Sequence, residues 1–269
     1  MSHNPLFLTT AIEAVVRAGD VMLEYAGRGV RVDKKGQIDL VTEADVAIER
    51  EFRTMIAGRF PDHAILGEEM GGAAAAPPGP CWVFDPIDGT TNFAHGLPIF
   101  CASLALEVDG VAEVAAIYDP CRRELFTAER GQGAALNGKR IHVSATATLI
   151  DAVLVTGFPY DVHKRVHEIV GLFGFFVGRA RAVRRLGSAA LDLCYVAAGR
   201  LDASWEVDLK PWDIAAGALI VSEAGGRVSL MTGEPFNSRG GQMLATNGLL
   251  HDEMLSVIRA HRASVQVST

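Results

Sequence analysis

Asp85-Pro86-Ile87-Asp88-Gly89-Thr90-Thr91-Asn92 places two carboxylates three residues apart, directly after the apolar run Cys81-Trp82-Val83-Phe84. The run reads as a buried strand, and the threonines as a helix start. Pro86 stiffens the turn, Gly89 admits close backbone approach, and Thr90 or Thr91 suits an N-cap. Carboxylates at such a reversal can converge on a hard divalent cation, with the Ile87 carbonyl as a further oxygen ligand. Free N–H groups at the helix start suit a phosphate held by the same metal. An ordinary turn also draws on Asp, Gly and Thr, so this segment alone leaves both readings open. Two other segments carry acids. Gly67-Glu68-Glu69 follows the short apolar run Ala64-Ile65-Leu66, and Asp213 opens a helix after Lys210-Pro211-Trp212. A helix start favours negative charge. Taken singly, Glu68 is also a solvated loop charge and Asp213 an ordinary first-turn carboxylate.

The flanking patterns indicate what positions these acids. Leu6 to Ala26 has helical periodicity, with Leu8, Ile12, Val15, Val16 and Met22 near one stripe. Thr42 to Gly58 reads as a second helix, with Thr42 as N-cap and Asp45 completing a capping box. Residues 71–80 read as a surface loop. Phe100–Val108, Val111–Tyr118, Glu124–Ala128 and Gly133–Leu136 read as an antiparallel meander, with turns at Asp109-Gly110, Asp119-Pro120 and Asn137-Gly138. Then come a strand at Val153–Thr156, helices at His163–Phe175 and from Ser188 through Tyr195, a strand at Asp202–Trp205, a helix at Trp212–Ala224, two short strands and a closing helix at Leu249–Ala260. The pattern predicts one layered α/β unit, residues 1–269, with halves (about 1–148 and 149–269) meeting near residue 150.

Composition narrows the function classes. A formal charge of −7 argues against a nucleic-acid or anionic-membrane binder, either of which would need a basic patch. The same charge is awkward for an enzyme of anionic phosphates unless cations reverse its sign at the site. Cys81, Cys101, Cys121 and Cys194 form no C-x-x-C pair, which fits reduced thiols better than disulfides or zinc. No leader pattern opens the sequence and no run of roughly 18 apolar residues occurs, so a cytoplasmic chain is expected. Gly133 to Lys139 fits the start of a P-loop, but Arg140 stands where Ser or Thr must follow, and Asn137-Gly138 is better read as a hairpin turn. Gly131-x-Gly133 lacks the third glycine of a dinucleotide fingerprint. Arg179, Arg181, Arg184 and Arg185 read as a solvated basic face, some of which could line a substrate mouth. The run Leu172 to Phe176 reads as core or as a dimer contact.

Taken together, Gly67-Glu68-Glu69, Trp82 to Phe93 and Trp212-Asp213-Ile214-Ala215-Ala216-Gly217 resemble the signature blocks of the inositol monophosphatase family. Asp39 to Asp45 resembles its N-terminal block. The resemblance covers nearly the whole chain. It implies an αβαβα sandwich of the sugar-phosphatase type, with an antiparallel-rich first sheet and a mixed second sheet. It further implies two to three Mg²⁺ ions, replaceable by Mn²⁺, with lithium sensitivity. Glu68, Asp85 and the Ile87 carbonyl would bind the first ion; Asp85, Asp88 and Asp213 the second; and Glu68 also a weaker third. Glu68 and the Thr90 hydroxyl would orient the attacking water, and Asp45 would hydrogen-bond Thr90. Gly89 and Thr90 amides would grip phosphate, Asp88 and Asp213 would border it, and Ser188, Ala189 and Glu206 would face a polyol. Lys34 matches a flap residue, although it also reads as a solvated lysine. The implied activity is hydrolysis of myo-inositol monophosphate by a homodimer. Fructose 1,6-bisphosphate, histidinol phosphate or a 3′-phosphonucleotide is an alternative substrate, and a non-catalytic metal- or phosphate-binding interaction protein an alternative class.

Overall fold

Amphipathic α1 (Pro5–Arg28) turns Ala11, Ala14, Val15, Ala18 and Met22 inward. In the computed structural model, which describes residues 4–28, 32–34, 40–72 and 77–267, that face meets a sheet. A short antiparallel pair follows, β1 (Val32–Lys34) and β2 (Leu40–Thr42). Then α2 (Glu43–Arg59) starts at the expected capping box: Thr42 Oγ accepts the Asp45 N–H while Asp45 Oδ2 accepts the Thr42 N–H at 2.8 Å. Lys34 ends β1 opposite Leu40. Residues 35–39, including the Asp39 of the N-terminal block, lie outside the described residues.

The first sheet has seven strands: β3 (Ala64–Gly67), β4 (Pro80–Asp88), then, after helix α3 (Thr90–Ala94), β5 (Cys101–Val108), β6 (Val111–Asp119), β7 (Glu124–Glu129), β8 (Gly133–Leu136) and β9 (Lys139–Arg140). Only β3 and β4 run parallel; the rest is the predicted meander in chain order. β5 is buried along nearly its whole length because both faces are covered. Strand β4 does not stop at Asp85. It continues through Pro86, which has no N–H for the ladder, and its register with β5 shifts between Asp85 and Asp88. That irregularity puts both carboxylates on one strand end.

The second sheet is mixed, in the order β11-β10-β12-β14-β13, from β10 (Val153–Thr156), β11 (Ala182–Arg184), β12 (Ala203–Val207), β13 (Arg227–Ser229) and β14 (Gln242–Thr246). The intervening helices are α4 (Val166–Val177), α5 (Ala189–Ala197) and α6 (Pro211–Glu223), and α7 (His251–Val267) is the last element among the described residues. The expectation missed β1, β2, β9 and β11: each is two or three residues long, too short for a periodic signal.

Three apolar clusters give the layer order. Helices α1 and α2 pack on the outer face of the first sheet. Helices α5 and α6 lie between the sheets, where Leu191, Ala216 and Ile220 share one cluster with Ile117 and Met243. Helices α4 and α7 cover the far face of the second sheet through Leu172, Phe176, Met254 and Ile258. The result is the expected αβαβα sandwich. The central layer is tight. A Cβ at Gly217 of α6 would overlap the Leu193 side chain of α5. Gly217→Val should therefore force the two helices apart and cost about 1–3 kcal/mol, read as a lower urea midpoint.

Candidate active site

Strand β4, the turn after β3, and the first turns of α3, α5 and α6 all open on one cleft of 520 Å³. It is lined by Glu68, Asp85, Ile87, Asp88, Gly89, Thr90, Ser188, Ala189, Glu206 and Asp213, so the structure gathers the expected metal and substrate residues there, while Asp45 is not part of the lining. They come from segments up to 145 residues apart in the chain, Glu68 to Asp213.

Each acid is held by its own local geometry. Asp85 Oδ1 accepts the Ile87 N–H at 3.0 Å. Asp88 Oδ2 accepts the Ser188 hydroxyl at 2.5 Å and the Ala190 N–H at 2.7 Å, so the N-terminus of α5 grips this carboxylate. Ser188 and its neighbours, expected to face a polyol, thus orient Asp88 as well. Asp213 Oδ2 accepts the Lys210 N–H at 2.7 Å, and Pro211 starts α6 where its missing N–H is harmless. The Ser103 hydroxyl donates to the Trp212 carbonyl at 3.3 Å, tying that helix start to β5.

Gly89 has φ +93°, and a Cβ there would approach the Ile99 carbonyl at 2.9 Å; both facts require glycine. The hydrogen bond expected from Thr90 to Asp45 runs instead to the Ile87 carbonyl, at 3.0 Å. Asp45 Oδ2 is already used by the Thr42 hydroxyl, at 2.5 Å. Asn92, at the end of the motif, donates to the Ile99 carbonyl at 2.8 Å and the Leu186 carbonyl at 2.9 Å, joining α3 to the segment before α5.

Residues without any motif complete the arrangement. Glu49, fully buried on α2, accepts the Glu69 N–H at 2.7 Å and the Met70 N–H at 3.1 Å, and pairs with Arg53 at 2.8 Å. It shapes the turn that carries Glu68, and Gly67 leaves no room for a Cβ against it. The spacing of Asp45, Glu49 and Arg53, four residues apart along one helix face, was the available signal. Gly157 serves Glu206 in the same way, since a Cβ there would overlap the Glu206 carboxylate. Of the four arginines before Gly187, Arg185 lines the cleft. Arg179 lies over the Phe175 ring, and Arg181 pairs with Asp151 at the surface.

The acids raise one another. Burial, then the charges of Glu68, Asp88, Asp213 and Asp45, hold the Asp85 pKa well above the usual carboxylate range. Burial, Glu68, Asp88 and Glu206 do the same for Asp213, against the Lys210 N–H. Burial pushes Asp88 up to about 6, moderated by Ser188 and Ala190. Glu206 rises to about 8 through burial and Asp88, with Arg185 opposing. Among the described residues no three acidic, histidine or cysteine side chains are gathered closely enough to hold an ion as they stand. The donor set is nonetheless all oxygen and strongly acidic, which fits a hard divalent cation.

A five-layer α/β sandwich with an all-oxygen acidic cleft at its strand ends is the arrangement of a hydrolase that works on phosphate esters, and the protein's relatives agree. The sequence profile of the inositol monophosphatase family matches residues 4–263. An inositol-1-monophosphatase of Synechocystis sp. is 44% identical, over 94% of this chain and 89% of that protein. The Nus factor SuhB of Pseudomonas aeruginosa is 43% identical, over 94% of this chain and 96% of its own. The solved inositol monophosphatase of Anabaena (Nostoc) sp. superposes with a TM-score of 0.86 at 40% identity, covering 95% of this chain and 96% of that one. The chain belongs to the inositol monophosphatase family. Among the described residues no helix is long and apolar enough to cross a membrane.

Two outcomes follow from these contacts. Glu49→Ala removes a buried ion-pair partner and should cost about 3 kcal/mol of unfolding free energy in urea. Glu206, with its folded-state pKa raised from 4.5 to about 8, favours the folded protein at low pH. That contribution erodes as pH climbs between those values, because the unfolded chain ionises first. In EDTA, Glu206→Gln should therefore raise the melting temperature much more at about pH 8.5 than at about pH 5.

Proposed function

We propose that this protein hydrolyses myo-inositol monophosphate to myo-inositol and phosphate with Mg²⁺, or Mn²⁺ in its place. The observation that carries the reading is the meeting of Glu68, Asp85, Asp88 and Asp213 on one cleft, with Glu206 on its α5–β12 side. Glu68, Asp85 and the Ile87 carbonyl would hold one ion, and Asp85, Asp88 and Asp213 a second; a weaker third would also use Glu68. Bound cations supply charge neutralisation on the phosphate and acidify the attacking water.

The remaining work falls to the chain itself. The Thr90 hydroxyl donates a hydrogen bond to the Ile87 carbonyl, which leaves its oxygen free to accept from the water, beside the Glu68 carboxylate. The Gly89 and Thr90 amides bind phosphate oxygens. Asp45 acts through the start of α2, and Lys34 as part of a flap. Glu206, Ser188 and Ala189 hold the polyol, and Arg185 draws the anion toward an otherwise acidic mouth. The reading includes a single catalytic unit, a homodimer in the cytoplasm, and no nucleic-acid or membrane partner. The name Nus factor SuhB on a close relative supports a second role of that kind beside catalysis; the complete acid set favours hydrolysis as the primary one.

Phosphate release from a panel of inositol, fructose, histidinol and nucleotide phosphates, run with and without Mg²⁺, tests the proposal. Inositol monophosphate with Mg²⁺ should give the highest rate, whereas preference for a bisphosphate, or no hydrolysis at all, would overturn it. Asp88→Asn should lower turnover by more than about a hundredfold with an unchanged circular dichroism spectrum. Li⁺ at roughly tens of millimolar should inhibit by competing for a hard-cation position.

A further inference from the structure

Eight acids are buried among the described residues, and seven of them accept a hydrogen bond: Asp45 from Thr42, Glu49 from Glu69 and Met70, Asp85 from Ile87, Asp88 from Ser188 and Ala190, Glu107 from Ser238 and Arg239, Asp119 from Arg122, and Asp202 from Ser144 and Val153. The eighth is Asp192. Its side chain is 1% exposed, no donor reaches it, and Oδ1 is buried without a partner. Packing does not account for an acid here, since Leu191, Leu193 and Cys194 beside it on α5 are apolar and fully buried. A leucine would fill the same space without the penalty of an unsatisfied buried charge.

Asp192 does have one open side, because it lines the catalytic cleft together with Glu206 and Arg185. Glu206 and Asp88 repel its charge and Arg185 attracts it. Two acids side by side at the same wall need a ligand that brings hydrogen-bond donors. Burial and Glu206 hold the Asp192 pKa well above its usual range. A hydroxyl both donates and accepts, and so satisfies either form, unlike an ammonium or a carboxylate.

We propose that Asp192 is a specificity-determining residue, forming with Glu206 an acceptor pair that takes adjacent hydroxyls of a polyol whose phosphate sits at the acid cluster. The assignment rests on the phosphatase reading above and adds to it a residue outside every signature motif. It accounts for a costly buried group as a stability sacrifice kept for ligand selection.

The test compares kcat/KM for inositol 1-phosphate with that for p-nitrophenyl phosphate, which has a phosphate and no hydroxyl, in the Mg²⁺-loaded enzyme. Asp192→Ala should lower the ratio of the two about tenfold or more, mainly through KM for the polyol phosphate. Asp192→Asn, which keeps one acceptor and the shape, should lose less. The melting temperature of both variants should hold or rise by about 2–4 °C, because an unpaired buried acid is gone. A ratio unmoved in either variant overturns the assignment. So does an equal loss of kcat on both substrates with a fallen melting temperature, which marks a merely structural acid. Wild-type enzyme that cleaves p-nitrophenyl phosphate but no polyol phosphate sinks the reading of the site as well; wild type that cleaves both, with an unmoved ratio, sinks this assignment alone.

Discussion

Mutual repulsion among carboxylates is the constraint around which this molecule is organised. Glu68, Asp85, Asp88, Asp213 and Glu206 face one cleft, and burial strengthens their repulsion by removing water. Left to themselves, such groups would swing toward solvent. The fold prevents this by giving the acids short donors: the Ile87 amide for Asp85, the start of α5 for Asp88, and the Lys210 amide for Asp213. The outcome is a cleft in which each of these acids is held by a donor of its own.

The five layers follow from that need. The acid-bearing segments must reach one point from different parts of the chain, and each is the end of a rigid element. Strand β4 is anchored between β3 and β5 in a sheet covered on both faces, while α5 and α6 are locked between two sheets by Gly217 against Leu193. Asn92 and Ser103 then stitch the loops together across the cleft. Rigidity of this kind holds ligand oxygens in place where flexible loops would let them part.

The two walls of the cleft divide the labour. One presents the acids of β3, β4 and α6, a set whose chemistry is common to many phosphate esters. The other, built from α5, β12 and the segment before α5, presents Asp192, Glu206 and Arg185, the wall to which we assign reading of the alcohol. In the proposed reading a negative protein acts on a negative substrate because bound cations would reverse the sign on one side, while Arg185 tempers it on the other.

Much of this was legible in the residues themselves. The capping box at Thr42 and Asp45, the meander with its Asn137-Gly138 turn, and the strand running into Asp85 all depend on neighbours within a few positions, so local pattern determines them. The signature blocks around Glu68, Asp85, Asp88 and Asp213 likewise identified the family and its acid set. What only the tertiary structure decided involves partners far away in the chain. Asp88 is seated by Ser188, 100 residues on; Glu49 braces the Glu68 turn from another helix; and the Thr90 hydroxyl turns to Ile87 rather than Asp45. Asp192 looks in the sequence like any polar residue of a helix. Its buried, unpartnered oxygen exists only because two sheets close over α5, and burial is a property of the packed whole that no local pattern carries.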